Sequence, residues 1–531
     1  MAADVVFLNG RVVTMDPAQP RASGVAVLGN RILAVGDDET IRAAVGPNTR
    51  VIDLGGRTLL PGLNDNHCHP VYYGFNLAKI DASPSATPTL DSLLERFAEA
   101  AAKEPAGNWI QGRGYDDTRL DVKRHPTRWD LDRVTPNHPA ILTRTCGHMS
   151  VVNSVALRMA GITAETPDPP GGRIVRDEHG EPTGLLQEHA QDLVRKLIAP
   201  PTVADIKEAL VAAGERFLSM GITSVAEASL RTSDELAAYQ ELRREGRLPV
   251  RVYLMMIIDN TLDAMEQLGV RTGFGDEWLR IGPAKLLQDG SGGGRTALMS
   301  YPYPDEPDNY GIAVYTQEYL DEAFRRAAAA GFQGAAHAIG DRAIDMILTA
   351  FERALEAHPQ PDPRWRIEHC GLLRPDLLER MRRLNVIAVP QPSFVYYLGD
   401  SYIRNFTKEA LALSYPARTW FDMGITAVGS SDTPVVPADP WVNIRSAVTR
   451  LTQDGQEMGA GQAVTLDEAL QMFTINGAYA SFEENIKGSI TPGKLADLIV
   501  VDLDPYEVEA VDLHTVQNDL TMVDGRIVYE R

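Results

Sequence analysis

Two rhythms of hydrophobic and polar positions alternate along the chain. The first 58 residues read as short strands: VVFLNGRVVTM around Asn9-Gly10, GVAVLGNRILAVG with a hairpin signal at Gly29-Asn30, then VIDLGGRTLLPG. The C-terminus repeats this pattern, with the buried-strand run ADLIVVDLD and LTMVDGRIVYER turning at Asp524-Gly525. Strand-rich ends around a different middle point to one small β domain built from both termini, although sequence does not show that they meet.

The middle alternates helix and strand. Thr202 opens T-V-A-D, a capping-box-like start to the amphipathic run IKEALVAAGERFLSM, which Gly221 stops before the strand ITSVAEA. The unit recurs as TQEYLDEAFRRAAAAG then FQGAAHA, as RPDLLERMRRL then NVIAVPQ, and as ARTWFDMG then ITAVGSSD. Strand candidates fall at 58–64, 221–226, 249–255, 280–287, 332–337, 364–369, 385–390 and 425–430. Repeated βα units build a parallel sheet, and eight of them predict a closed (β/α)8 barrel of the α/β class. The stretch 75–200 breaks the pattern and is rich in Pro and Gly (PDPPGGRIVRDEHGEPTG). A loop of that length without structure is implausible, so an inserted subdomain is expected after the first strand. The predicted organisation is a composite β-sandwich from 1–58 and 486–531 and a barrel over 59–485, with the insertion at about 75–200.

Composition narrows the class. Hydrophobic residues make up 44% and charged residues 23% of the 531 positions, which excludes a disordered, collagen-like or disulfide-rich chain. The net charge of -21 and the lack of a basic stripe oppose binding to nucleic acid and to anionic membranes. No apolar run approaches a membrane span, the start MAADVVFLNGRVVTMD lacks the features of a signal peptide, and the three cysteines form no CxxC. The expected compartment is the cytoplasm, and the expected partner is a small-molecule substrate, with a homodimer as the base-rate oligomer.

Candidate chemistry sits at strand ends. LLPGLNDNHCHP runs from apolar strand residues into His67 and His69, which at i and i+2 share one face of a strand. The C-terminal ends of barrel strands are where barrel active sites lie, and neutral imidazole is a common metal ligand. An HxH alone also describes two ordinary surface histidines. His337 closes FQGAAHA and His369 ends RWRIEHC, each readable as a satisfied core histidine. The coincidence outweighs the single readings: four of the 11 histidines close candidate strands 1, 5 and 6. Asp432 follows ITAVGSSD at the end of strand 8, as a cap or turn residue or as a metal-bound carboxylate that moves protons. Lys285 stands in the otherwise apolar strand 4, as a snorkelling or paired chain or as a carbamate formed with CO2.

LPGLNDNHCHP resembles the PGxxDxHxH signature of the amidohydrolase superfamily, with Asp65 at the first Asp, and the order HxH, Lys, His, His, Asp is similar to its binuclear members. WIQGRGYDD, RTCGHMSVVNSVAL, GGRIVRDEHGEPTGLLQE, KLLQDGSGGGRTALM, AHAIGDRAID, RIEHCGLL, GSSDTPV, TINGAYA and GSITPGKLADLIVVD narrow the resemblance to the YtcJ-like, N-substituted formamide deformylase-like branch. Asn64 and Asn66 depart from the apolar or small residues more usual beside Asp65. The resemblance implies a distorted barrel with a two-part β-sandwich. It also implies a site at His67, His69, Lys285, His337, His369 and Asp432 that holds Zn2+, in two copies, or another divalent metal. His67 and His69 take the more buried metal with Asp432, and His337 and His369 the second, with carboxylated Lys285 between. Asp432 and His337 are the expected catalytic residues.

The expected reaction is attack of a metal-bound hydroxide on a formamide, amide, carbamate or cyclic amide, with Asp432 moving the proton. The alternatives are an esterase or lactonase on the same site, or a non-catalytic barrel scaffold, which the complete ligand set opposes. His148, Tyr115, Asp116 and Arg295 are candidate substrate contacts; for His148 a structural role is weighed beside it. Ser291-Gly292-Gly293-Gly294 lacks phosphate-loop spacing and reads as a flexible βα loop. Phe394, Tyr396 and Tyr397 read as an apolar wall or ordinary packing. Cys68 and Cys370 adjoin ligands but alternate away from them, as core residues.

Overall fold

The computed structural model describes residues 1–117, 119–144, 147 and 149–531. Two compact units make up the chain: Met1–Pro70 with Leu210–Arg531, and Val71–Ala209. Among the described residues, no helix is long and apolar enough to cross a membrane.

In the first unit the termini meet. Arg11–Val13, Arg21–Ala22 and Thr58–Pro61 share a six-stranded sheet with Leu498–Val501, Asn518–Val523 and Arg526–Glu530, joined where Thr58–Pro61 runs antiparallel to Leu498–Val501. A second sheet of four strands holds Val5–Leu8, Gly24–Leu28, Arg31–Gly36 and Arg50–Asp53. Phe7, Val25, Val27, Leu59, Leu498, Val500 and Met522 from both sheets form one buried core. The hairpin signals mark real turns: Leu28 pairs with Arg31 across Gly29-Asn30, and Val523 with Arg526 across Asp524-Gly525. Asp524 and Gly525 both have positive φ (54° and 74°), as a two-residue turn matched to strand twist requires.

The same unit holds a barrel sheet of seven parallel strands: Leu63–Cys68, Ile222–Leu230, Arg251–Ile257, Leu279–Leu287, Gly334–Ala338, Arg366–His369 and Ile387–Val389. The strand candidate 425–430 forms no regular strand; only an isolated parallel bridge joins Ala427 to Ala388. It still closes the ring through single hydrogen bonds. Ala388 N–H donates to Thr426 O and Val428 N–H to Ala388 O on one side; Asn66 N–H donates to Gly429 O and Asp432 N–H to His67 O on the other.

The candidate 58–64 also needs correction, because its apolar run serves two sheets. Thr58–Pro61 belongs to the terminal sheet, and the barrel strand starts at Leu63. Gly62 makes the passage possible: a Cβ there would lie 2.2 Å from Thr223 Oγ1. Near the start of the third barrel strand, buried Arg251 is clamped by Asp497 (Nε to Oδ2 2.6 Å) and Asp524 (3.1 Å) and faces the Trp278 ring at 4.7 Å. This guanidinium ties the barrel to the C-terminal strands.

In the second unit, Leu90–Lys103 is an amphipathic helix opened by a Thr89/Ser92 capping box. It packs Leu93, Leu94 and Phe97 against Ile110, Leu142 and Val151 of a six-stranded mixed sheet.

Asp497→Ala leaves the buried Arg251 charge short of its main partner, and is expected to cost about 3–5 kcal/mol of stability. Urea unfolding checks this; a loss near that of an exposed ion pair would contradict the clamp.

Candidate metal centre

The first barrel strand carries Asp65 and His67 on one face, and His69 just past its end. Parallel pairing sets Cys68 beside Glu227 on one flank. On the other, Asp432 N–H donates to His67 O at 2.7 Å, and His69 N–H to Thr433 O at 2.8 Å. Asp65 locks this edge by accepting from Ser431 N–H at 3.0 Å, from the Ser431 hydroxyl, and from His67 N–H at 3.3 Å. Burial pushes the Asp65 carboxyl up to about 7 against these hydrogen bonds. The backbone thereby brings Asp432 Oδ1 to 3.1 Å from His69 Nε2 and 3.4 Å from His67 Nε2. Asp432 (φ 61°) and His369 (φ 67°) both sit in the left-handed region. Such a conformation costs of order 1–3 kcal/mol for a non-glycine residue and persists only when its surroundings dictate it.

A histidine binds a metal through one nitrogen when the other is held. His67 Nδ1 lies 2.5 Å from Glu368 Oε2, and Glu368 is held by Arg366 at 2.5 Å and 3.2 Å. Arg366 in turn donates to Asn66 O at 2.6 Å. His69 Nδ1 lies 3.0 Å from Ser229 Oγ, and Ser229 N–H donates to Glu227, which also accepts from Tyr239. Gln391 donates its amide N–H groups to Val389 O and Ser430 Oγ, so its oxygen accepts from His369 Nδ1–H at 2.6 Å. His337 is reversed. Its Nε2 faces Gly290 O at 3.0 Å, and a carbonyl only accepts, so Nε2 carries the proton. Asp289 Oδ1 adds a second acceptor at 3.3 Å. The lone pairs therefore stand on Nε2 of His67 and His369 and on Nδ1 of His337. His69 Nε2 faces the Asp432 carboxylate at 3.1 Å, which only accepts, so this nitrogen donates there and a metal ion would take the place of that proton.

Electrostatics favour the ligating forms. Burial, then the charge of Lys285, lowers the His67 pKa well below its ordinary value; burial, then His337, does the same to His369. Burial works to raise the Asp432 pKa, but the His69 hydrogen bond and the charges of His369, His69 and Lys285 outweigh it and hold the carboxyl below its usual range. Lys285, fully buried, is pulled down to about 8 by desolvation against the attraction of Glu368 and Asp432. Its Nζ stands 3.4 Å from His67 Nε2.

The donor set fits a divalent cation. One ligand atom from each of His67, His69 and Asp432 lies within 4.8 Å of the others. The separations of 3.1 Å and 3.4 Å from Asp432 Oδ1 match the roughly 3.4 Å between donors around a tetrahedral ion with bonds of about 2.1 Å. The His369 ring lies 4.9 Å from that of His67 and 4.3 Å from that of His337, which extends the cluster to one side. Phe394 stacks on His369 at 6.1 Å.

Arg295 gives its guanidinium to Glu306 and Asp305 of its own loop region and to Asn405 at the end of the helix Ser393–Asn405, and none of its hydrogen bonds goes to the histidines. Tyr115 is buried in the core of the second unit, with its hydroxyl 3.0 Å from His125 Nδ1, and Asp116 faces Arg144 at 3.5 Å. His148 lies outside the described residues. Cys68 and Cys370 are buried thiols whose pKa burial raises, which suits core residues rather than nucleophiles. The sequence reading missed Glu368, Arg366, Glu227, Asp289 and Gln391. Their signal was a carboxylate, guanidinium or amide inside an apolar strand or at its end, where such groups stay only if paired.

The profile of the Amidohydrolase family matches residues 50–529. The N-substituted formamide deformylase of Arthrobacter pascens is 32% identical over 548 residues, covering 99% of this chain and 98% of its own. The YtcJ protein of Bacillus subtilis (strain 168) is 33% identical over 535 residues, covering 99% of each chain. The crystal structure of an uncharacterized metal-dependent hydrolase from Pyrococcus furiosus is 33% identical. It superposes with a TM-score of 0.78 over 95% of this chain and 100% of that one.

If Glu368 fixes the His67 ring, Glu368→Gln should weaken divalent-metal affinity by about 10–100-fold. Competition with a chromophoric chelator measures this; an unchanged affinity would contradict the role.

Proposed function

We propose, from the premise that this chain belongs to the amidohydrolase family, that it hydrolyses non-peptide carbon–nitrogen bonds in a formamide, amide, carbamate or cyclic amide. The observation that carries the reading is the convergence of His67 Nε2, His69 Nε2 and Asp432 Oδ1 at the C-terminal end of a parallel barrel sheet.

His67, His69 and Asp432 would hold one divalent cation, zinc in this reading, and His337 and His369 would hold a second, with Lys285 as a carbamate supplying a further oxygen ligand. When bound, such a cation polarises a carbonyl and lowers the pKa of water to about 7. Lys285 would become a ligand by attacking CO2 as the neutral amine: a nitrogen–carbon bond forms, one carbon–oxygen π pair moves onto oxygen, and the nitrogen's proton leaves to solvent, so that the neutral amine becomes an anionic carbamate. Its desolvated position favours the neutral amine that this step needs. Asp432 accepts the proton of the attacking water at its carboxylate and returns it to the leaving nitrogen, a transfer worth typically about 10²–10⁴-fold. His337, with Nε2–H committed to Gly290 O, cannot serve as a proton shuttle through that atom while it ligates through Nδ1. Its part is to bind metal and to polarise the substrate through it. Phe394, stacked on His369, keeps water from that side of the ring.

We also read the two terminal sheets as a β-sandwich formed by 1–58 and 486–531 on a barrel of 59–485, with 75–200 as its insertion. The chain acts in the cytoplasm, as a homodimer. The residue ranges rest on the strand pairing that joins the termini, the compartment on the few cysteines and the dimer on base rate.

Purified protein should contain close to two zinc ions per chain. Chelation should abolish turnover of N-formyl and N-acyl amines, and added zinc should restore it. Asp432→Asn should lower kcat by about 10²–10⁴-fold while much of the metal stays bound. Chelator-resistant turnover, or full activity in that variant, would overturn the reading. A preference for esters over every carbon–nitrogen substrate would replace it with esterase chemistry.

A further inference from the structure

The unit Val71–Ala209 holds a group of cations that its own carboxylates leave unneutralised. Gly112 pairs with Ile80 and Arg113 with Asp81, which sets Lys79 at the start of the edge strand next to the one that carries Arg113. On its other side Arg113 is in register with Thr143, and Thr143 with Ser150. Register partners share a face, so Arg113, Thr143 and Ser150 form a row across the sheet. Thr143 Oγ1 lies 3.1 Å from Ser150 Oγ, which donates to Gln191 Oε1 at 2.6 Å. The same oxygen accepts from Arg195 at 2.7 Å, which fixes Arg195 at the end of the row. Elsewhere this face is apolar, with Ile141, Val152 and Leu186 under Ala190 and Val194.

Asp81, Glu99 and Glu104 line one hollow with Lys79, yet among the described residues none of them forms an ion pair with the three cations. Asp81, the register partner of Arg113, accepts from Ser83 N–H at 2.9 Å. Asp192, the acid that acts on Arg195, pairs with His189 at 3.3 Å. Among the described residues, Lys79, Arg113 and Arg195 make no ion pair, in a chain where 72 acidic residues outnumber 51 basic ones. Burial, and then the charges of Arg113 and Arg195, lower the Lys79 pKa. Like charges gathered at a half-buried place cost stability unless an anion joins them.

We propose that Lys79, Arg113 and Arg195, with the Thr143 hydroxyl, bind a multiply charged oxyanion, the phosphate group or clustered carboxylates of a small molecule. The guanidinium groups present planar forks to paired oxygens, and the ammonium supplies a point charge. Binding requires neither a metal ion nor turnover, so its failure would leave the hydrolase reading untouched.

Calorimetric titration of the full chain at low salt, with inorganic phosphate in one arm and citrate in the other, tests this; the tighter arm identifies the source of the oxygens. Saturable binding is expected, weakened about ten- to a hundredfold by Arg113→Gln or Lys79→Gln. Arg382→Gln, which removes an exposed cation 3.1 Å from Glu379 in the other unit, should leave it unchanged. In anion-free buffer Lys79→Gln should melt no lower than the parent, because it relieves repulsion, while losing the rise in Tm that the anion gives the parent. Should Arg113→Gln fail to fold, Lys79→Gln decides. Absence of saturable binding in both arms, equal affinity in the folded variants, or an equal loss in Arg382→Gln would overturn the proposal.

Discussion

Glu368 accepts from Arg366 on one side and faces His67 Nδ1 at 2.5 Å on the other, with all three side chains buried. A buried carboxylate next to a buried guanidinium stays ionised, and an ionised carboxylate only accepts. The imidazole must therefore turn a proton toward it and a lone pair away from it. The orientation of Nε2, and with it the distance to Asp432, follows from this contact. Gln391 and Gly290 apply the same constraint to His369 and His337 with neutral acceptors, and the Ser229 hydroxyl, which can donate or accept, orients the His69 ring. The site is thus defined less by four histidines than by the four groups that hold their second nitrogens.

The barrel turns these local constraints into one cluster. His67 and Asp432 are 365 positions apart in sequence, yet a ladder bond of 2.7 Å joins their backbones. Closure by isolated bonds along 426–433, rather than by a regular strand, leaves the backbone free to turn left-handed at Asp432. A strict strand would alternate neighbouring side chains between the two faces. At the end of the sixth strand, Glu368 and His369 both serve the site because His369 leaves the extended conformation at φ 67°. Strain at these two positions is balanced by buried hydrogen bonds and packing, which also explains why the centre lies on the barrel sheet and not on free loops.

Much of this was legible in the residues. The period-2 pair His67/His69, and the placing of His337, His369 and Asp432 at candidate strand ends, pointed to one end of a barrel, because parallel strands align their C-terminal ends, and the family resemblance joined them into one expected site. Hairpin turns at Gly29-Asn30 and Asp524-Gly525 were legible because few sequences tolerate φ > 0 there. The boundary at 58–64 was not, since one apolar run supplies two sheets and only the close approach at Gly62 separates them. Glu368 was hidden by the alternation rule that rightly set Cys370 aside. Arg295 looked available, but nothing in its own loop sequence shows that Glu306 neutralises it. Which nitrogen each histidine offers is set by partners up to 301 positions away, and no local pattern records that.

In the proposed function these held imidazoles and Asp432 converge on a pair of divalent cations. An anomalous-difference map at the zinc edge, from crystals of the metal-loaded protein, tests it most directly. The account predicts two peaks: one within bonding distance of His67 Nε2, His69 Nε2 and Asp432, the other beside His337 Nδ1 and His369 Nε2. A well-ordered map with no peak among these atoms, or with zinc bound through His67 Nδ1 after displacement of Glu368, would contradict it.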